Sequence, residues 1–361
     1  MRILRQPLHS GRISPMLYGG FIELLDDLVP GMWAEMLNDR SFEGVLPPSS
    51  WCYYNGVPNA CDRPWESSDS WRLDSTDPFD GERSARLLAG PAAAASLCQE
   101  GLAVRKGMTY RFEGWFRAQG RNLEPTVRLK TRHPDGSWIE LASHALSVPA
   151  SAWAKQSFEL VSAGTTDRAV FELSAFGSST LWADKLSLMP KDNQNGWRRD
   201  VVEAVRAARP GLIRWGGSVV DPGGYRWKIG IGDRDRRSPF ANRPWGRMDP
   251  NDVGIDEFLQ FCELVDARPL VCVSFSDGPQ SARDLVSYCN GGADTPWGGR
   301  RTANGHAEPY GVRLWQIGNE LGDADYVRGC TAICRAIKET DPQSLVLSSY
   351  PSPALLAEAG R

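Results

Sequence analysis

The residues best placed to do chemistry are Asn319 and Glu320, which end the short apolar segment Val312–Ile317. Val, Leu, Trp and Ile in such a run predict a buried strand, and Leu321-Gly322 then turns the chain away. In a barrel of parallel strands, chemistry takes place at the carboxyl ends of the strands. A Glu there can exchange a proton with a glycosidic oxygen while the neighbouring Asn holds a sugar hydroxyl. A Glu in an ordinary strand-to-helix loop would have the same local sequence, so the pair needs support from the rest of the chain.

The segments around this pair alternate between strands and helices, which is typical of a parallel sheet with crossover helices. A (β/α)8 barrel of the TIM type is the fold that this alternation favours, although only about five βα units are present. We expect strands at 12–23, 212–215, 269–275, 312–320 and 345–350. Helices are expected at 197–209, 255–267, 282–289 and 325–339, with a helical turn within Met32–Phe42.

A stretch with a different sequence pattern interrupts this alternation of strands and helices. From about Ser50 to Met189 the sequence loses helical periodicity and consists of short alternating runs such as Thr109–Phe116 and Trp138–Leu141. Many short strands in such a stretch predict a β-sandwich. The expected domains are therefore an incomplete barrel formed by residues 1–50 and 190–361, with a β-sandwich inserted as residues 51–189.

Composition excludes several functional classes. The formal net charge is −3, and charges of both signs are mixed along the sequence, so no nucleic-acid surface is expected. No apolar run is long enough to span a membrane, and the N-terminal residues do not resemble a signal peptide. We therefore expect a cytoplasmic protein, or an exported one whose signal has been removed. The eight Cys show no metal-binding spacing, and no cofactor is expected. A disulfide between Cys52 and Cys61 stays undecided.

Several motifs together resemble glycoside hydrolase family 51, mostly α-L-arabinofuranosidases, in the branch with an inserted carbohydrate-binding-module-like jelly roll. The matching segments are Tyr18–Glu23, Trp33–Glu43, Tyr225–Asp235 with Trp245, Gly305–Tyr310, Ile317–Glu320 and Leu181–Pro190. This resemblance implies a retaining hydrolase that releases arabinofuranosyl residues from arabinose-containing plant cell-wall polysaccharides or oligosaccharides. It implies that Glu320 is the general acid/base, and that sugar contacts come from Glu23, Arg214, Ser218, Trp245 and Asn319.

The sequence departs from the family pattern in two places. The family shows Pro-Gly-Gly-Asn after the second strand, whereas this chain has Gly216-Gly217-Ser218-Val219, so the sugar-binding Asn maps to Ser218 or Val219. The family's nucleophilic Glu lies on a later strand, beyond Arg361, and we therefore expect the chain to be truncated at its C-terminal end. Three remaining carboxylates, Asp221, Asp277 and Glu308, are poor substitutes for that nucleophile.

Two alternatives to arabinofuranoside hydrolysis stay open. One is a non-catalytic glycan-binding fragment, and the other is an endo-acting β-glucanase or xylanase of the same clan. An unclosed barrel would expose a sheet edge and apolar side chains, which favours self-association, and an oligomer is compatible with the sequence.

Overall fold

The computed structural model describes residues 11, 13–25, 28–44, 65, 69–90, 93–223, 225–322, 324–350, 352, 353 and 355. The strands in chain order are β1 (Gly19–Ile22), β2 (Trp71–Asp74), β3 (Ser84–Ala89), β4 (Ala95–Val104), β5 (Thr109–Arg132), β6 (Trp138–Ala145), β7 (Ala154–Val161), β8 (Thr166–Pro190), β9 (Leu212–Trp215), β10 (Phe240–Asn242), β11 (Arg247–Asp249), β12 (Arg268–Val273), β13 (Leu314–Ile317) and β14 (Leu345–Ser348). The α-helices are α1 (Leu28–Met32), α2 (Arg199–Ala208), α3 (Ile255–Val265), α4 (Gly278–Asn290), α5 (Pro296–Ala303) and α6 (Ala324–Thr340).

A five-stranded parallel sheet carries the Asn-Glu segment, and its strand order is β1-β9-β12-β13-β14. Buried side chains alternate along β9 and β13, which places one face of the sheet against the crossover helices. Trp215 of β9 stacks on Phe258 of α3 with ring centroids 5.3 Å apart, and Trp315 of β13 is fully buried. The other face lacks such cover in the described residues, since Phe21 is 54% exposed and Leu345 is 57% exposed. Phe21 and Leu345 are therefore exposed apolar side chains of the kind that the sequence predicts.

The residues between β1 and β9 form an antiparallel sheet built on two long strands, β5 and β8. These two strands pair along almost their whole length, but Gly120 and Gly177 adopt positive φ angles of 120° and 114° near the middle. Phe112 and Phe171 belong to opposite halves of this ladder, yet their rings stack 5.7 Å apart. The sheet therefore folds over on itself, and a single apolar core fills the space between its two halves.

The chain enters and leaves the antiparallel sheet along adjacent paths. The backbone nitrogen of Met36 donates to the carbonyl of Leu188 (3.0 Å), and that of Leu186 donates to the carbonyl of Arg40 (2.9 Å). The segment after α1 is thereby paired with the end of β8. The helix expected after Met32 is wrong, because α1 ends at Met32 and the chain then runs beside β8 before a non-helical turn in which Phe42 donates to the carbonyl of Asp39 (3.1 Å).

A buried group of charged side chains joins the two sheets. Arg40, which is 2% exposed, donates to Asp252 (2.8 Å) and to Asp235 (3.1 Å) in the loops between β9 and α3. From the antiparallel sheet, Trp115 donates its indole N–H to Asp235 (3.0 Å), and Lys155 pairs with the same carboxylate (2.8 Å). Because all these partners are needed to satisfy one another, the two sheets meet in a fixed arrangement.

Candidate active site

Three of the expected site residues meet at the carboxyl edge of the parallel sheet. Glu23 follows β1, Arg214 lies near the end of β9, and Asn319 follows β13. The strands are in parallel register, with Ile22 opposite Trp215 and Val273 opposite Ile317, so these side chains extend beyond the same edge. This is the position at which parallel α/β sheets bind ligands.

Glu23 is a buried carboxylate that is held by hydrogen bonds. Its Oε1 accepts from the indole Nε1 of Trp245 (3.1 Å) and from the backbone nitrogen of Val219 (3.3 Å). Burial raises the pKa of Glu23 above its ordinary value, and the hydrogen bond from Trp245 opposes that shift. The backbone passes so close that a Cβ on Gly217 would lie 2.1 Å from Oε2, and Gly217 has a φ of 104°. Only glycine can occupy position 217 without displacing Glu23.

The turn that holds Glu23 is the one in which the sequence departs from the family pattern. Ser218 is 7% exposed, and its backbone N–H is a further donor to the Glu23 carboxylate. Residues 218 and 219 therefore contribute main-chain donors at this point. Whether the Ser218 hydroxyl contacts sugar stays a prediction.

Arg214 links the ends of two strands that are not neighbours. Its Nη2 donates to Oδ1 of Asn319 (2.6 Å), and its Nε donates to Oε1 of Gln316 (3.0 Å). The guanidinium thus reaches from β9 across β12 to β13. Because Oδ1 of Asn319 already accepts from Arg214, the amide nitrogen is the group of Asn319 that can donate to a sugar hydroxyl.

Next to the hydrogen bond between Arg214 and Asn319, the thiol of Cys272 on β12 donates to the carbonyl of Gly318 (3.2 Å). The side chain of Gln316 donates to the same carbonyl (3.0 Å). Burial raises the pKa of Cys272 to about 12, so the group is a neutral thiol donor. The peptide that precedes Asn319 is therefore fixed from below by two side chains.

Glu320 is exposed at the edge of the sheet and has a left-handed backbone with a φ of 54°. This conformation is uncommon for a residue other than glycine, and it persists only where the surrounding structure enforces it. The backbone before it is anchored, since Gly318 donates its N–H to the carbonyl of Val273 (2.8 Å). The arrangement presents a carboxyl group to solvent beside Asn319, as a general acid/base for an entering substrate requires.

Several known proteins are similar to this chain. Residues 204–355 match the family model described as the alpha-L-arabinofuranosidase 1 domain. The extracellular exo-alpha-L-arabinofuranosidase of Streptomyces chartreusis is 28% identical over 355 residues, which cover 85% of this chain and 40% of that protein. Alpha-L-arabinofuranosidase C of Emericella nidulans is 33% identical over 180 residues, covering 45% of this chain and 34% of that protein. The chain is therefore similar to alpha-L-arabinofuranosidases, with the family model matching over residues 204–355.

A solved structure of an arabinose-bound family 51 α-L-arabinofuranosidase matches with a TM-score of 0.77 at 21% identity, covering 95% of this chain and 60% of that one. This likeness supports the mixed α/β fold with its parallel sheet. The chain spans only about a third to two fifths of the length of the curated relatives named above.

Three further carboxylates, Asp221, Asp277 and Glu308, lie elsewhere in the described residues. Asp221 is fully buried and accepts from the backbone nitrogen of Phe275 (2.7 Å) and the hydroxyl of Ser276 (2.8 Å). Asp277 is paired with Arg226 (2.5 Å). Glu308 is exposed in the loop before β13. Asp221 and Asp277 thus hold strand-end loops together.

Sequence reasoning missed three residues that shape the site, namely Gln316, Tyr326 and Ser349. Gln316 carries a recognisable signal, because it is the one polar residue between Leu314 and Ile317 in an otherwise apolar strand. Tyr326 and Ser349 give no local signal, since they act through hydrogen bonds to distant backbone atoms.

No group of three or more His, Cys, Asp or Glu side chains in the described ranges is arranged to hold a metal ion. Among those same residues, no helix is both long and apolar enough to cross a membrane. Cys52 and Cys61 lie outside the described residues, so their pairing stays open.

Proposed function

We propose that this chain carries the acid/base half of a retaining α-L-arabinofuranosidase site, with arabinose-containing plant cell-wall polysaccharides or oligosaccharides as substrates. The observation that carries the proposal is the hydrogen-bonded set of Glu23, Arg214, Trp245 and Asn319 at the sheet edge where Glu320 is exposed. The names of the relatives from Streptomyces chartreusis and Emericella nidulans support the choice of sugar.

Each residue has a role in this proposal. Glu320 protonates the glycosidic oxygen as the bond breaks, and it later removes a proton from the water that releases the sugar. Arg214 fixes Asn319 so that its amide nitrogen donates to a ring hydroxyl, and Glu23 accepts from another hydroxyl. Trp245 keeps the Glu23 carboxylate in place and offers an indole beside it. A second carboxylate must attack the anomeric carbon, and we assign that role to none of the described residues.

The proposal includes the finer architecture. We propose that residues 1–50 and 190–361 are part of a (β/α)8 barrel, and that residues 51–189 are an inserted β-sandwich of the jelly-roll type. The parallel order of β1, β9, β12, β13 and β14 supports the first statement. The contact between Phe112 and Phe171 across the folded antiparallel sheet supports the second.

A second candidate is glycan binding without hydrolysis. It is favoured by the placement of Asp221 and Asp277, which are committed to loop contacts and leave Glu320 without a partner nucleophile among them. The binding groups Glu23, Arg214 and Asn319 would serve this function as they stand. An endo-acting β-glucanase or xylanase has no specific support in these contacts.

Hydrolysis of 4-nitrophenyl α-L-arabinofuranoside by the 361-residue chain separates these functions. Glu320→Gln should abolish the activity, whereas Glu308→Gln, which changes another exposed Glu in the loop before β13, should retain it. Hydrolysis that survives in Glu320→Gln would refute the catalytic proposal, and a folded wild-type chain without hydrolysis would show that the 361-residue chain does not cleave this substrate by itself. Arabinose binding that is lost in Asn319→Ala would then identify the chain as a glycan-binding protein.

A further inference from the structure

Two residues outside the proposed set of sugar contacts hold the segment that carries Glu320. We propose that Tyr326 and Ser349 are positioning residues that fix Glu320 by tying the end of β13 to the end of β14. This inference deepens the proposed function and rests on it, because it concerns where the general acid/base is held.

Tyr326 lies on the first turns of α6, and its side chain extends below the site. It is 1% exposed, and its hydroxyl donates to the carbonyl of Ile317, the last residue of β13 (2.7 Å). The same hydroxyl accepts from the backbone nitrogen of Ser349, just after β14 (2.7 Å). Burial raises the pKa of Tyr326, so the phenol stays protonated and keeps its role as a donor.

The ring of Tyr326 also supports the turn that leads to Glu320. It packs against Phe275 with centroids 5.2 Å apart, and a Cβ on Gly318 would lie 3.3 Å from its Cε2 atom. Gly318, with a φ of 66°, therefore passes directly over the ring. One side chain thus contacts the backbone on the amino-terminal side of Glu320 and binds the neighbouring strand end.

Ser349 fixes the carboxyl-terminal side of Glu320. Its Oγ accepts from the backbone nitrogen of Leu321 (2.9 Å), and its own N–H is held by Tyr326. Glu320 is therefore bracketed by Gly318 on one side and Leu321 on the other. The Tyr326 hydroxyl supports both sides, directly at the Ile317 carbonyl and through Ser349 at Leu321, and it adds to the bonds that Gly318 makes with Val273, Cys272 and Gln316.

The contacts of Tyr326 and Ser349 matter because the backbone of Glu320 is in the left-handed conformation. A non-glycine residue keeps a strained φ only when its neighbours over-determine it. Removing one anchor lets the segment relax toward ordinary backbone angles and moves the carboxyl group away from its position. A displacement of about 1 Å in a catalytic group costs roughly a hundredfold in rate.

The test compares Tyr326→Phe and Ser349→Ala with Tyr288→Phe in the full chain. Tyr288 is a matched control, because it is fully buried and its hydroxyl donates to Asp256 (2.6 Å) away from β13. We expect kcat to fall about 10- to 100-fold in the two test variants while KM changes less than about 2-fold. The loss should be larger for phenyl than for 2,4-dinitrophenyl α-L-arabinofuranoside, since only the poorer leaving group needs protonation.

A second readout does not depend on activity. Amide hydrogen exchange in peptides that cover residues 318–321 should be faster in Tyr326→Phe and Ser349→Ala than in the wild type, and unchanged in Tyr288→Phe. Unchanged exchange in both test variants would overturn the inference. So would an equal rate loss with the two aryl leaving groups, which would show that proton donation is unaffected.

These outcomes separate the inference from the proposed function. Hydrolysis that survives in Glu320→Gln overturns the function, and the exchange rates then still decide whether Tyr326 and Ser349 hold the segment. An active wild type with unchanged exchange in both variants overturns the positioning role alone. If Tyr326→Phe fails to fold, Ser349→Ala decides, because it removes only one hydroxyl near the surface of the sheet edge.

Discussion

Replacing Arg40 with Met should destabilise the protein strongly, because Arg40 is the buried cation between the two sheets. Met retains an unbranched apolar side chain, so the change removes charge and donors more than volume. Asp235 would keep Lys155 and Trp115 as partners. Asp252 would lose its closest cation and keep Arg234 at 3.8 Å and the weaker influence of Lys185.

The size of the expected loss in the free energy of unfolding follows from Asp252, the carboxylate that loses its closest cation. Breaking a buried ion pair by removing one partner costs about 3–5 kcal/mol, and the remaining contact of Arg234 favours the lower end. A loss of about 3 kcal/mol corresponds to more than a hundredfold in the folding equilibrium constant. Urea denaturation, followed by tryptophan fluorescence and far-ultraviolet circular dichroism, measures this change in the free energy of unfolding.

The destabilisation should depend on pH in a defined direction. Burial alone would raise the pKa of Asp252, but Arg40 and Arg234 hold that pKa below its ordinary value. The wild-type contribution is therefore present above the unfolded pKa of about 4 and is lost as pH falls further. Without Arg40, burial dominates, the pKa of Asp252 rises, and protonation relieves the penalty as pH falls. The difference between variant and wild type should therefore be larger at pH 7.5 than at pH 4.5.

Two controls make the prediction refutable. Arg283→Met breaks an exposed pair with Glu339 (2.7 Å) and should cost less than about 1 kcal/mol. Asp252→Asn in the Arg40→Met background should recover part of the loss, because it removes the unpaired charge. A cost below about 1 kcal/mol for Arg40→Met at pH 7.5, or an equal cost at both pH values, would contradict this account.

Two further predictions concern the site and the open face of the parallel sheet. Trp245→Phe removes a donor that lowers the pKa of Glu23, so that pKa should rise further, and the acidic limb of the pH profile for arabinoside binding should move to higher pH. Binding titrations between pH 4 and pH 7 check this, and an unmoved limb would contradict it. The chain should self-associate through the exposed Phe21 and Leu347, and Phe21→Ser with Leu347→Ser should reduce that association in light scattering. A monodisperse wild-type monomer that unfolds cooperatively would argue against the second prediction.

The sequence predicted the parallel strands and most of their helices because their signals are local. The apolar run of β13 and the amphipathic period of α3 are visible without knowledge of any partner. The strands expected at 212–215 and 345–350 are confirmed as β9 and β14, the latter ending at Ser348. The positions of Glu23, Arg214 and Asn319 at one edge follow from the parallel order of their strands.

Other features depend on distant partners and could not be predicted locally. The residues after Met32 have reasonable helix propensity, but the pairing of Met36 and Arg40 with the end of β8 keeps them out of a helix. Arg234 and Asp235 lie in a segment whose sequence gives no sign of its partners. In the structure, the Asp235 carboxylate accepts from Arg40 and Trp115 between the sheets. Such tertiary contacts set the direction of a surface loop, and they produce no periodic pattern in the sequence from which the direction could be predicted.

The adjacency of the two paths into and out of the antiparallel sheet has a consequence for the order of folding. Glu23 and Val219 are 196 residues apart in the chain, so direct closure of β1 onto β9 would carry a large loop entropy. Glu35 and Leu188 are brought together across 153 of those residues when the antiparallel sheet forms. Once Glu35 and Leu188 are in contact, the loop that must still close to bring β1 and β9 together is much shorter. The antiparallel sheet should therefore fold first and act as a template on which β1 and β9 meet.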